Sequence, residues 1–301
     1  MGKRSWALIA LFFVAIFYSL NFNIAKAVMP HYIQPFGFIL FRVTGACLLF
    51  WIVGLFIPKE KIYKKDYPRI IFAALFGMAI NMLAFFKGLN YTSPINASVI
   101  MVTAPIIVLL FSVFFLGEKI TLSKIMGLLI GFIGTVLIIY YGKGNPARAT
   151  QPVLGNFLVF INAASYAIYL ILVKKLTATY HPLTFIKWMY LLGILFVLPF
   201  GITEVLNMPI ADIPLQGYLK IGYVVVFATF GTYILNIFAI RELKPTTVAV
   251  FIYLQPLLTT LFAVSMGTDY IDGIKIVSAL LICLGVYMVS LKPASKLSVA
   301  K

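Results

Sequence analysis

The sequence predicts an all-α polytopic membrane protein, with ten transmembrane helices arranged as two inverted five-helix repeats. Three observations predict it. The 301 residues are 62% hydrophobic and 11% charged, with a mean hydropathy of +1.05, whereas a soluble domain carries about a quarter charged residues. Ten apolar segments can be drawn at about 20 residues each, the length that spans a hydrocarbon core. Residues 81–140 also lie on 232–291 without a gap at a shift of 151, so that Pro94 meets Pro245, Pro105 meets Pro256, Glu118 meets Asp269, Lys124 meets Lys275 and Gly134 meets Gly285. Each copy belongs to a half with five spans, and an odd number of spans turns the second half upside down in the membrane. The halves divide as 1–145 and 146–301.

Helix 1 (6–27) follows Met1-Gly-Lys-Arg. That start resembles a signal peptide, but the apolar run outlasts one and no Ala-x-Ala site closes it before Asn21, so an uncleaved helix is expected. Helix 2 (36–57) carries Arg42 roughly 10 Å of rise from its outer end. Helices 3 (69–90) and 4 (94–116) follow. Pro94 takes the first turn of helix 4, where the missing N–H costs nothing, whereas Pro105 falls mid-span and deprives the Met101 carbonyl of its helical partner. Helix 5 (122–141) holds Gly127, Gly131 and Gly134, a small-residue spacing suited to close packing within the bundle or to a homodimer face, with packing preferred. Runs such as Ile125 to Tyr141 are apolar on every face, which argues against a β-barrel.

Helices 6 to 10 (153–174, 183–203, 217–240, 245–266 and 272–291) repeat the plan. Pro245 opens helix 9, and Pro256 stands mid-span over the Ile252 carbonyl. Carbonyls freed in lipid must face protein or cavity water, so Pro105 and Pro256 are the expected hinges. Cys47 and Cys283 fall inside spans as small apolar packing residues.

The net charge of +16 is distributed as a membrane protein distributes it. Segments that are cytoplasmic when the N-terminus is inside, among them Lys59 to Arg69 and Lys174 to Lys187, hold seventeen Lys and Arg. The opposite segments hold six, and Arg42 completes the 24. Both termini are therefore expected in the cytoplasm of a cell with an inner (plasma) membrane. The partners called for are the bilayer and a small-molecule substrate, not nucleic acid.

Several stretches are similar to a known family. Tyr18-Ser-Leu-Asn-Phe-Asn-Ile-Ala-Lys26, Arg42, and the run from Lys87-Gly-Leu-Asn-Tyr-Thr-Ser through Pro105 to Leu116-Gly-Glu-Lys-Ile-Thr121 resemble the EamA-type transporters of the drug/metabolite transporter superfamily. Arg241-Glu-Leu-Lys-Pro-Thr-Thr, Pro256 and Gly267-Thr-Asp269 echo them, with Asp269 where the family usually repeats Glu. The resemblance implies a ten-helix bundle, a central cavity shared by both halves, and movement of a small metabolite or drug, often outward. It leaves the cargo open among amino acids, nucleotide sugars, cofactors and xenobiotics.

Of the eight acidic residues none lies mid-span, which favours facilitated diffusion or exchange over carboxylate-based proton coupling. Arg42, if it points inward, is the one deep fixed charge, a planar fork suited to a carboxylate or phosphate. Lys26 and Lys87 near the outer ends of helices 1 and 3 complete a positive collar, and Lys174, which aligns with Lys26 at a shift of 148, joins Lys187 in a matching ring at the inner mouth. From the polar residues at depth, which include Asn81, Asn162, Tyr169, Tyr190 and Tyr233, the substrate site is expected to draw Tyr18, Asn21, Asn96, Tyr166, Tyr253 and Gln255. Glu118 and Asp269 are expected to pair with Lys124 and Lys275 and buttress loops.

An intramembrane enzyme would need a nucleophile with its base, paired aspartates or a histidine-rich metal site at depth. The sequence has only His31 and His181, both in or beside loops, and calls for no metal and no cofactor. A channel-like pore usually assembles rings of like residues, and the inverted repeat fits alternating access better. The reading is a secondary transporter of small metabolites, amino acids foremost, with drugs, cofactors or nucleotide sugars as alternative cargo.

Overall fold

A computed structural model describes residues 2–29, 32–57, 60–92, 97, 100–141, 151–208, 213–265 and 271–291, and of residues 22, 23, 25–27, 90, 138, 141 and 263 the backbone alone. Among the described residues every regular element is helical. They are α1 (Lys3–Val28), α2 (Pro35–Gly54), α3 (Tyr67–Ala74, Leu75–Ile80 and Asn81–Tyr91 in one run), α4 (Ala104–Leu116), α5 (Leu122–Tyr141), α6 (Pro152–Thr177), α7 (Pro182–Leu206), α8 (Leu215–Val225, Val226–Gly231 and Thr232–Glu242), α9 (Pro245–Val250, Phe251–Tyr253 and Leu254–Ser265) and α10 (Gly273–Ser290). Eight stretches are long and apolar enough to cross a membrane, while α4 and the Leu122–Leu137 part of α5 are shorter apolar helices. The expected start of helix 4, with Pro94 and Asn96, and the boundary between the halves at 145 lie outside the described residues.

Helix starts are set by sequence. Pro35, Pro152, Pro182 and Pro245 each occupy a first turn, where proline's fixed φ is pre-organised and its missing N–H is not needed. Pro199 sits inside α7, an interruption the sequence reading passed over. Gly117 ends α4 with φ 62, and the amides of Gly117 and Glu118 turn back onto the carbonyls of Val113 and Ser112.

The repeat is written into the irregularities of the helices. In α3 residues Leu75–Ile80 wind as a π-helix, and in α8 residues Val226–Gly231 do the same, 151 positions on. The segments after them, Asn81–Tyr91 and Thr232–Glu242, begin and end at the same shift. Packing obeys the same exchange of halves. Helix α1 lies on α8 as α6 lies on α3, α4 touches α6 as α9 touches α1, and α2 with α7, α5 with α10 and α4 with α9 are pairs that map onto themselves.

Contacts between helix ends give the sense of the repeat. At one end Arg4 bonds the Ser290 carbonyl, Ser123 bonds that of Met288, Thr246 donates to Glu118 at 3.0 Å, and Tyr180 donates to Asp66 at 2.8 Å. At the other end the Gly37 amide donates to Glu204 at 2.7 Å and Thr92 to Asn156 at 2.6 Å. The connection between α2 and α3 thus meets that between α6 and α7, which requires antiparallel halves. Glu204 caps the open first turn of α2, whose own N-cap Gln34 offers no side-chain bond.

Helices α5 and α10 meet through glycine. A methyl on Gly127 would reach the Gly285 carbonyl at 2.9 Å, and one on Gly285 the Gly127 carbonyl at 2.6 Å. Gly131 faces the Tyr253 ring, and Gly134 faces Ser278 and Leu281. The small-residue stripe is therefore used inside the bundle, where backbones approach without side chains between them.

Candidate functional site

Arg42 comes from the buried face of α2, between Phe38 and Val43 in the core, and is 6% exposed. Its guanidinium stands 6.0 Å from the Phe38 ring centre and 5.8 Å from that of Phe86 on α3, a cation–π arrangement. Nε donates to Thr229 Oγ1 at 3.1 Å, and one terminal nitrogen reaches the Ala228 carbonyl at 3.5 Å. Both acceptors belong to the π segment of α8. Among the described residues no carboxylate forms an ion pair with Arg42. Arginine placed at the middle of a membrane helix costs about 2.5–3.5 kcal/mol on insertion scales and as a rule marks function.

Neutral phenols surround the charge. Tyr18 of α1, Tyr190 of α7 and Tyr233 of α8 lie close enough to act on Arg42 electrostatically, and Tyr18 also meets Thr232. Tyr233 donates to the Gly77 carbonyl at 2.9 Å, inside the π segment of α3. Gly77 and Ala228 are equivalent positions of the repeat, so each π segment presents its matching carbonyl to a side chain of the opposite half. A π-bulge frees backbone acceptors in just this way, and such bulges are frequent at functional sites. Rings continue outward from Tyr233: Tyr169 at 6.0 Å between centres, Tyr190 at 5.2 Å, then Tyr166 at 6.3 Å from Tyr169 and Phe50 at 4.7 Å from Tyr190.

The pseudo-symmetry carries into the site. At the shift of 148, Tyr18 corresponds to Tyr166, Asn21 to Tyr169 and Arg42 to Tyr190. One half contributes the charge, and the other a phenol in its place.

Of the expected site residues, Arg42, Tyr18 and Tyr166 come together in this cluster, with Asn21 one turn along α1 and its amide oxygen buried without a partner among the described residues. Lys87 lies apart at the end of α3, its ammonium over the rings of Tyr91 (5.1 Å) and Phe36 (5.6 Å). Tyr253 is fully buried in a 3₁₀ turn of α9 against Gly131, a packing position. Gln255 is half-buried and accepts Ser19 Oγ on its backbone carbonyl at 3.1 Å. Asn96 lies outside the described residues, as does the side chain of Lys26.

Both lysines expected at the inner mouth have partners within the protein. Lys174 gives its ammonium to the carbonyls of Ile240, Arg241 and Leu243, at 2.7, 3.1 and 2.9 Å, and so caps the end of α8. Lys187 stands over Trp51 at 5.1 Å. Glu118 pairs with Lys124 as expected, and Thr246 holds its other oxygen. Asp269 lies outside the described residues, while Asp272 caps α10 by accepting the Lys275 amide at 2.8 Å.

The prolines are placed differently from a mid-helix kink. Pro105 sits in the first turn of α4 and Pro256 in the first turn of Leu254–Ser265, each just after a break in the helix, which in α9 is the 3₁₀ turn Phe251–Tyr253. Thr229 and Thr232 were missed by the sequence reading, although two threonines in an apolar run were a visible signal. Tyr169, Tyr190 and Tyr233 were seen as polar at depth but not selected.

With this geometry in view, the EamA-like transporter family matches the chain twice, over residues 5–140 and 153–291. The chain belongs to that family. It is similar to an uncharacterized transporter of Archaeoglobus fulgidus, 27% identical over 286 residues, covering 95% of this chain and 98% of the relative. A second relative, the uncharacterized transporter YyaM of Bacillus subtilis, is 24% identical over 279 residues, with 92% and 90% covered. A solved crystal structure shares the fold at a TM-score of 0.78 and 18% identity, covering 95% of this chain and 96% of that one. The protein is a membrane transporter of this family.

Proposed function

We propose that the protein is a secondary transporter of the inner (plasma) membrane, with both termini cytoplasmic. It moves a small carboxylate-bearing metabolite such as an amino acid, in the export direction, by alternating access between its halves. The observation that carries this reading is Arg42: a buried guanidinium between the halves, held by one hydroxyl and one carbonyl, with no ion-pair partner among the described residues. A planar fork of donors with free capacity suits a carboxylate. The excess of Lys and Arg on the segments flanking both termini supports the orientation. Pro105 and Pro256, each beside a break in its helix, remain the proposed hinges.

Flux into liposomes from a panel of labelled amino acids and carboxylates, with and without a pH gradient, tests the reading. Arg42→Ala is expected to abolish flux of carboxylate-bearing cargo, and unchanged flux would remove Arg42 from the site. Normal turnover in both Pro105→Ala and Pro256→Ala, at unchanged yield, would end the hinge assignment. A second reading, a drug-like apolar cargo, draws on the ring series from Tyr166 to Phe50. It predicts flux of apolar solutes that survives Arg42→Ala.

A further inference from the structure

We infer that the seat at Arg42 selects by net charge: it takes a monoanion in preference to the zwitterion of the same carbon skeleton, and rejects the corresponding cation. The inference rests on the reading of Arg42 as cargo anchor and narrows it to a substrate class.

The charge around the seat decides the matter. Arg42 is ionised at every physiological pH. Among the described residues, the groups that face it are the phenols of Tyr18, Tyr190 and Tyr233, the rings of Phe38 and Phe86, the Thr229 hydroxyl and the Ala228 carbonyl, all neutral. The described acids are committed at helix ends: Glu60 to the His181 amide, Asp66 to Arg69 and Tyr180, Glu118 to Lys124 and Thr246, Glu204 to the Gly37 amide, Asp272 to the Lys275 amide, with Glu242 closing α8. Asp212 and Asp269 fall between α7 and α8 and between α9 and α10 in sequence, outside the described residues.

Among the described residues the seat by itself therefore carries one net positive charge, in a medium where charge is weakly screened. A monoanion neutralises it. A zwitterion leaves the net charge unchanged, and its ammonium meets only phenol oxygens and ring faces. A cation adds to it. Two buried polar groups near the seat add capacity for hydrogen bonds without charge: the Tyr169 hydroxyl, one ring beyond Tyr233, and the Asn21 amide oxygen, one turn from Tyr18, neither with a partner among the described residues.

The test uses the purified full-length protein in lipid nanodiscs at neutral pH and two trios that differ only in charge. One is 4-methylpentanoate, leucine and 3-methylbutylamine, and the other is 3-phenylpropanoate, phenylalanine and 2-phenylethylamine. In at least one trio the monoanion should raise the thermal midpoint at a concentration about tenfold lower than the amino acid needs, and the amine should give no shift. Arg42→Gln should lose the anion response, and Arg42→Lys should keep it in weakened form. Without solute, Arg42→Gln should melt no lower than the wild type, because it removes a buried charge that no carboxylate pairs with among the described residues while its amide can still bond Thr229 or the Ala228 carbonyl.

An amino acid that binds as tightly as its monoanion, through Arg42, overturns the charge rule and leaves the carrier reading standing. No shift from any of the six solutes also overturns it, and the liposome fluxes then decide the carrier reading separately. If Arg42→Gln melts well below the wild type while Arg42→Lys binds anions no differently, Arg42 is a structural residue and both readings fall.

Discussion

Thr229 donates its only hydroxyl proton to the Val224 carbonyl, 2.7 Å away, and so receives the Arg42 Nε–H at 3.1 Å on a lone pair. The Val224 carbonyl orients the hydroxyl, and the hydroxyl holds the guanidinium. Thr229 is thus a positioning residue for the Arg42 guanidinium.

Thr229→Val keeps the side-chain shape while leaving two buried polar groups without a partner, at ~1–3 kcal/mol each. A lower thermal midpoint and an apparent KM for carboxylate cargo raised roughly tenfold are expected, with maximal flux changed less. Thr229→Ser should restore both values. Initial-rate flux over a range of substrate concentrations measures the split, and a valine variant with wild-type KM would disconnect Thr229 from the seat.

A methyl group on Gly131 would land 2.5 Å from the Tyr253 ring, a distance at which something must shift. Overpacking of this kind costs ~1–3 kcal/mol, so Gly131→Ala should lower the thermal midpoint. Tyr253→Leu in the same chain should recover part of the loss by making room. A Gly131→Ala protein that melts with the wild type would show that α5 and α9 do not approach this closely.

The register of the repeat was legible because spacing survives where identity does not: the shift of 151 read from Pro94, Pro105 and Glu118 also lands on the borders of both π segments. Arg42 was legible as a charge inside an apolar span. The π segments were not, since no residue type demands that winding and the bonds that support it come from the opposite half, Tyr233 to Gly77 and Arg42 to Ala228. An inserted residue rotates every later side chain by about 100°, so the faces of α8 beyond Val226 do not follow ordinary helical periodicity. Choosing site residues from helices 1, 4, 6 and 9, the repeat-related pairs with polar and kinked features, passes over Tyr233 on helix 8. The same choice takes in Tyr253 on helix 9, but the bareness of Gly131 draws its ring into the α5 packing.

Asp66 and Tyr180 tie the two halves together at the end where the termini lie. Tyr180 accepts the Tyr63 amide at 3.0 Å and donates to Asp66 at 2.8 Å, while Arg69 holds the other Asp66 oxygen at 2.8 Å. Tyr180→Phe leaves Asp66 and the amide short of one partner each, and a loss of ~1–3 kcal/mol is expected. Burial first, and then the carboxylate it bonds, raise the Tyr180 pKa above its ordinary 10.0. A raised pKa in the folded state gives a contribution that is complete below the unfolded value and is lost as pH climbs through the folded one. Stability of the wild type should therefore fall more steeply above about pH 10 than that of Tyr180→Phe. Parallel curves for the two proteins would mean that the bond carries no stability.

Driving force follows from where the carboxylates are. A proton-coupled carrier needs a group at membrane depth that changes charge in the cycle, and the described acids all sit at helix ends or in connections. Arg42 keeps its charge throughout. A monoanion leaving through such a site carries one uncompensated charge, worth about 2.3 kcal/mol per 100 mV, so an inside-negative potential drives it out. In liposomes with a potassium diffusion potential set by valinomycin, efflux of the monoanion should accelerate when the lumen is negative and slow when the sign is reversed. A pH gradient at clamped zero potential should leave it unchanged. Efflux that follows the pH gradient and ignores the potential would require a proton to travel with the cargo, and would place a titrating group in the pathway beyond Arg42 and its phenols.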